Sequence, residues 1–230
     1  MDPFVIALAA LLALNTESAA AEQPSAEVWA GHQVLKGKRK IPLYGDKETH
    51  TENYFIAEVH RTATRIDIRQ KLCRIDIRPI KGVLASMKPE TVAHLPKSRI
   101  ILEEHPDGSL ASAPWTHGWE AEDIDVDGSP GATVTISGTS CSGDVYVSNQ
   151  SVTSLVSGHA TDSGATGEIS VKLKQRILGA SGLCLKLIAG DSDETQTGWF
   201  AFSRVEPGTT CHSLAGKPWP AKAGPPLGAH

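Results

Sequence analysis

The sequence predicts an all-β protein, an antiparallel meander that forms a closed or nearly closed β-barrel, with a β-sandwich as the alternative. Three observations carry this. Short runs of alternating apolar and polar residues recur every ten or so positions, clusters of Gly, Pro, Asp and Ser separate them, and helical periodicity is almost absent. Nearly every connection is hairpin-short, which favours the barrel, because a sandwich needs some longer crossovers.

The chain opens with an apolar run, Phe4 to Leu14, and reaches the small residues Ala19-Ala20-Ala21. This pattern predicts a secretory signal peptide over 1–21, although Asp2 stands where Lys or Arg is usual. The run is too short to span a bilayer as a helix, and no later apolar stretch approaches that length, so the mature chain is expected to carry no transmembrane segment.

A single all-β domain is expected over 22–206, since that length supports one core without a second. Its plainest strand is 168–174, with Ile169, Val171 and Leu173 on one face and Glu168, Ser170, Lys172 and Lys174 on the other. Further strands are predicted at 33–41, 53–61, 65–77, 99–104, 132–137, 145–148, 152–158, 183–189 and 198–205. Only 88–94 reads as a turn or two of helix.

Across 65–78, Arg65-Ile66-Asp67-Ile68-Arg69 recurs as Arg74-Ile75-Asp76-Ile77-Arg78, nine residues later. An odd offset reverses every Ile on a straight strand. A bulge near Gln70-Lys71 must therefore reset the register, or the strand must change surface. Residues 207–230 turn to Pro, Gly, Ala and Lys and are expected to be a disordered or extended tail whose base Cys211 ties to the domain.

Four cysteines, Cys73, Cys141, Cys184 and Cys211, in an exported chain read as two disulfides. Zinc is disfavoured because no two of them sit at finger spacing. Three pairings are open, with Cys184 to Cys211 preferred because a hairpin at 191–194 would bring the chain back.

The net charge of −4 hides an asymmetry. Residues 36–100 carry fifteen Lys or Arg against seven acids, while 101–171 carry eleven acids and no Lys or Arg. Cross-strand pairing between the two blocks is the first expectation. The sharper alternative is a basic face able to meet phosphates or anionic envelope lipids.

Glu122-Asp123-Ile124-Asp125-Val126-Asp127-Gly128-Ser129-Pro130-Gly131 places Asp123, Asp125 and Asp127 at alternate positions before a turn. They match the first half of a calcium loop, with Gly128 at the sixth position. The second half fails, since Val134 stands where a bidentate Glu belongs and Pro130 lacks an N–H. Ca²⁺ at Asp123, Asp125 and Asp127 is thus the one metal this sequence offers, and no other cofactor is expected. The competing reading is a strand with the three Asp on its solvent face and Ile124 and Val126 in the core.

Other chemistry finds little footing. The nine histidines form no metalloenzyme pair. Gly138-Thr139-Ser140-Cys141-Ser142-Gly143 breaks nucleophile-loop spacing. Glu120 and Glu122, near Trp115 and Trp119, would share one strand face as a glycosidase pair, although such carboxylates usually come from different strands. Nucleic acid is excluded by compartment and net charge, despite Tyr44, Tyr54 and Phe55 within the basic block.

Export, an early Trp and a strand meander make the architecture similar to lipocalin-like barrels. Val28-Trp29-Ala30-Gly31 lacks their G-x-W signature, so the likeness is one of architecture. The expectation is a non-enzymatic secreted or periplasmic barrel. It would bind a small apolar or amphipathic ligand lined by Phe55, Ile56, Ile66 and Ile68, or associate with an envelope component. A calcium-stabilised sandwich module is the alternative, and a carbohydrate-active enzyme ranks last.

Overall fold

The computed structural model describes residues 26–41, 45–138 and 141–224. The leader expected over 1–21, Tyr44 and Thr139-Ser140 lie outside them. Among the described residues the elements in order are β1 (Glu27–Ile41), β2 (Gly45–Arg61), β3 (Arg65–Ile77), β4 (Leu84–Ser86), α1 (Pro89–His94), β5 (Ser98–Glu104), β6 (Leu110–Ala111) and β7 (Trp115–Trp119). There follow β8 (Ala132–Ser137), β9 (Gly143–Thr161), β10 (Gly164–Ala180), α2 (Leu183–Ile188), β11 (Ser192–Val205) and α3 (Cys211–Leu214).

All ladders are antiparallel and belong to one sheet in the order β4-β8-β9-β10-β11-β1-β2-β3-β5-β6, with β7 also on β9. No ladder joins β4 to β6 among the described residues, so the sheet is an open half-barrel. No helix among the described residues is long and apolar enough to cross a membrane.

The two ends of the barrel differ. At one, the β5–β6 hairpin reaches across to β9: Ser109 bridges His159, and the Ala160 N–H donates to the Gly108 carbonyl at 2.8 Å. Arg61 reinforces this end with two bonds to Glu104, at 3.1 and 2.7 Å, and one to the Thr161 carbonyl. Here the interior is solid. Trp29, Ala57, Val59, Ile66, Ile68 and Phe202 pack in one cluster, which removes their apolar surface from water at about 25 cal/mol per Å².

At the other end the long strands outrun that core. β1, β3, β8 and β10 finish there, β2, β9 and β11 begin there, and the interior opens.

The bulge expected in the Ile repeat is present, two residues further on than Gln70-Lys71. Tyr54 pairs with Arg74 but Phe55 pairs with Leu72, leaving Cys73 as the extra residue. Ile66 and Ile68 lie in the core while Ile75 and Ile77 line the open interior, so both copies face inward. The bulged Cys73 bonds Cys211, and Cys141 bonds Cys184. The preferred pairing of Cys184 with Cys211 is therefore corrected. It assumed a strand over 183–189, whereas that segment is α2, which stays at the open end beside the β8–β9 turn.

Beyond α3 the chain is extended and docks on the outer face of β1 and β2. Trp219 donates from its ring nitrogen to the Gly31 carbonyl at 2.9 Å, its ring meets Tyr54 edge-on, and Ala221 is buried.

Candidate functional site

The open interior is a cavity of about 450 Å³, within the range of small-molecule sites. Strand alternation sorts its walls. Leu72, Ile75 and Ile77 of β3, Val145 and Val147 of β9, and Leu173 of β10 make an apolar side. Gln33 of β1, Thr51 and Asn53 of β2 and Gln196 of β11 make a polar one. The polar groups bond among themselves: Asn53 donates to Gln33 at 2.7 Å and Gln196 donates to Glu194 at 2.9 Å.

β7 covers part of the space through alternate residues, Trp115, His117 and Trp119. The Trp119 ring N–H donates to the Val147 carbonyl at 2.8 Å, which fixes the indole in the wall. Gly118 lies between, where a Cβ would run into the Asn149 carbonyl. Burial pushes the His117 imidazole below its ordinary value, so it is neutral at pH 7.

The fixed charges on the cavity are Arg39, Lys40, Arg78 and Lys81 against Glu194 alone. Glu194 is buried and accepts from Arg39 at 3.2 Å. Lys40, Arg78 and Lys81 have no ion-pair partner among the described residues, so the mouth is positive. Cross-strand neutralisation of the two charge blocks is not what forms. Of the ion pairs among the described residues, only Arg61 to Glu104 joins 36–100 to 101–171, while Arg99 and Arg65 turn to Asp67 and Arg74 to Asp76.

Of the four expected lining residues, Phe55 does line the cavity. Ile68 touches only a small void of about 20 Å³ at its deep end, Ile66 is core, and Ile56 points to the outer face because Phe55 and Ala57 point in. The residues that sequence reading missed are Leu72, Ile75, Ile77, Trp115 and Trp119. The two-copy Ile motif was their signal, since only inward-facing apolar residues need a bulge to keep them on one side.

The acidic stretch is not a strand. Residues 120–131 form a compact loop between β7 and β8, in which Asp123 and Asp127 are exposed and Ile124 packs against the core as expected, while Asp125 and Val126 are exchanged between inside and outside. Asp125 is buried, accepting from the Thr91 hydroxyl at 2.9 Å and the Thr133 N–H at 3.0 Å, while Val126 is 77% exposed with φ of 58°. Asp123 accepts from the N–H groups of Asp127 and Gly128, and Asp127 accepts from the Ser129 N–H and the Thr133 hydroxyl. The Thr133 hydroxyl holds the Asp127 carboxyl below the usual range. One oxygen from each of Asp123, Asp125 and Asp127 lies within 4.8 Å of the others, and Asp125 Oδ1 is buried without a hydrogen-bond partner.

Glu120 and Glu122 are both exposed in this loop, past the end of β7, so the shared strand face that would have paired them does not exist. No protein-family model, curated protein or solved structure matches this chain.

Proposed function

We propose that this chain is an exported, non-enzymatic carrier that holds an anionic amphiphile in its half-barrel. The observation that carries the reading is the cavity itself, which opens where the strands outrun their core. Natural cores are filled to crystal-like density, so a space of this size bounded by Leu72, Ile75, Ile77 and Leu173 leaves a large packing loss uncompensated unless something occupies it. An apolar body against those residues, a polar edge along Gln33, Asn53 and Gln196, and a negative head among Lys40, Arg78 and Lys81 would satisfy all three surfaces. Two disulfides and the leader support action in an oxidising compartment, periplasmic or extracellular.

The test is binding of a fluorescent fatty-acid analogue in solution, followed by competition with palmitate. Ile75→Asp and Leu173→Asp place carboxylates in the apolar wall and are expected to weaken binding by about tenfold or more with an unchanged circular dichroism spectrum. A wild-type protein that leaves the probe free, or variants that bind as the wild type does, would sink the carrier reading.

The Asp loop supports a second, subsidiary reading, that it takes Ca²⁺. The supporting observation is the buried Asp125 Oδ1, an oxygen with no donor in a cluster of three carboxylates, which a cation would satisfy. The expected outcome is a melting temperature that rises with Ca²⁺ and falls with chelator in the wild type, and that is unresponsive in Asp125→Asn. An identical melt across a calcium series would remove the metal from consideration.

A further inference from the structure

We propose that the open end of the barrel is a membrane-docking face, through which the anionic bilayer surface meets the mouth of the cavity. This rests on the carrier reading for its purpose, though not for its geometry. The segments 78–83 and 181–191 emerge at that end, as do Gly138 and Cys141 at the adjoining ends of β8 and β9, and the apolar side chains that stand out of it are unusual for a surface.

Leu183 and Leu187 are 81% and 82% exposed. Four residues apart on α2, they share one face. The opposite face, Leu185 and Ile188, closes the cavity wall. α2 thus joins cavity to solvent across its own width. The disulfide from Cys184 to Cys141 ties it to the β8–β9 turn. On the other side of that turn, Val83 packs against Gly138 so closely that a Cβ there would lie 3.2 Å from a Val83 methyl. Val83 and Leu84 are themselves 40% exposed. The apolar residues therefore belong to one connected rim.

Charge identifies what covers that rim. Lys186 sits between the two leucines in sequence, Lys81 lies in the turn beside Val83, and Arg78 and Lys40 line the mouth. None of these four has an ion-pair partner among the described residues. Leucines flanked by basic side chains suit a bilayer interface that carries negative headgroups: the leucines enter the acyl boundary while lysines stay at the phosphates. A protein partner would need a concave apolar surface to receive two protruding leucines, and nothing in this rim supplies its complement. Docked this way, the cavity mouth faces the lipid layer, and an amphiphile could pass between them without crossing water.

The experiment is co-sedimentation of the full mature chain with phosphatidylglycerol-containing vesicles and with phosphatidylcholine vesicles, alongside the fatty-acid probe assay in solution. Wild type is expected to sediment with the anionic vesicles, and less so at high salt. The double variant Leu183→Asp/Leu187→Asp is expected to partition about tenfold more weakly, and Lys186→Glu, whose side chain lies outside the cavity lining, about fivefold more weakly. Both should bind the soluble probe as the wild type does, which shows that the fold and cavity are intact. Probe binding without vesicle binding would overturn the docking face and leave the carrier reading standing. Vesicle binding that depends on the leucines, without probe binding, would support the face and sink the carrier. A soluble dimer that Leu183→Asp/Leu187→Asp dissolves would assign the rim to a second copy of the chain and overturn the proposal.

Discussion

His32 is a buried imidazole with both ring nitrogens engaged. Its Nδ1 accepts the Ala223 N–H at 2.9 Å, and its Nε2 meets Glu52 at 3.2 Å. Burial lowers its pKa, against the opposing pull of the Glu52 carboxylate, with Arg74 and Asp76 acting from β3. His117 is lowered by burial alone. In each case the unfolded imidazole binds protons near pH 6.5 while the folded one does so only below that. Between the lowered folded values and about pH 6.5 the unfolded chain holds more protons, so stability falls as pH falls. Glu52 and Asp67 are held below the usual carboxylate range, Glu52 because hydrogen bonds from Tyr54 and two histidines outweigh its burial and Asp67 by Arg99, so their loss comes at lower pH. We expect the melting temperature to drop between pH 7.5 and 5, and the drop to shrink in His117→Gln. A His117→Gln profile parallel to wild type would show that this imidazole does not contribute. His32 was visible in the sequence only as one scattered histidine, because what gives it a role is a strap nearly two hundred residues away. Asp125 and Val126 were misread for a related reason. Alternation implies a strand only while the chain continues extended, and the left-handed backbone at Val126 ends that.

Among the elements, β3 was the most legible and α2 the least. β3 announced its own bulge, because two inward Ile pairs nine residues apart permit no straight strand. The segment 183–189 offers no such constraint. Leu-Cys-Leu-Lys-Leu-Ile alternates as a strand would, and it becomes a helix because the Cys141 to Cys184 bond and the burial of Leu185 hold it over the cavity. Short apolar runs are ambiguous between the two states until their neighbours are known. The disulfide spans 43 residues of sequence, for which chain entropy gives about 4 kcal/mol of stabilisation. Cys141→Ser/Cys184→Ser should lower the urea unfolding free energy by about that amount and make 181–191 the first site of proteolysis. Unchanged unfolding, with α2 still protected, would show that packing of Leu185 and Ile188 alone secures the helix.

For the whole molecule, the decisive quantity is the mismatch between strand length and core length. β1, β2, β9 and β10 are each fifteen residues or longer, the larger packed cluster lies toward the end closed by the β5–β6 hairpin, and a second one, with Val145, Val147 and Leu185, only lines the wall of the other. The remainder of the sheet bounds a space, and Lys40, Arg78 and Lys81 of the basic block stand at its mouth with no ion-pair partner among the described residues. The amino-acid sequence by itself determined the all-β class, the antiparallel meander, and that β3 must either bulge or change surface. Each follows from local physics: side-chain alternation, turn residues and the parity of a repeat. The tertiary structure alone decided that the barrel is open, which cysteines pair, that Leu183–Ile188 is helical and that Asp125 points inward. These depend on which residues distant in sequence come to share a face, and no period or spacing within a single segment contains that.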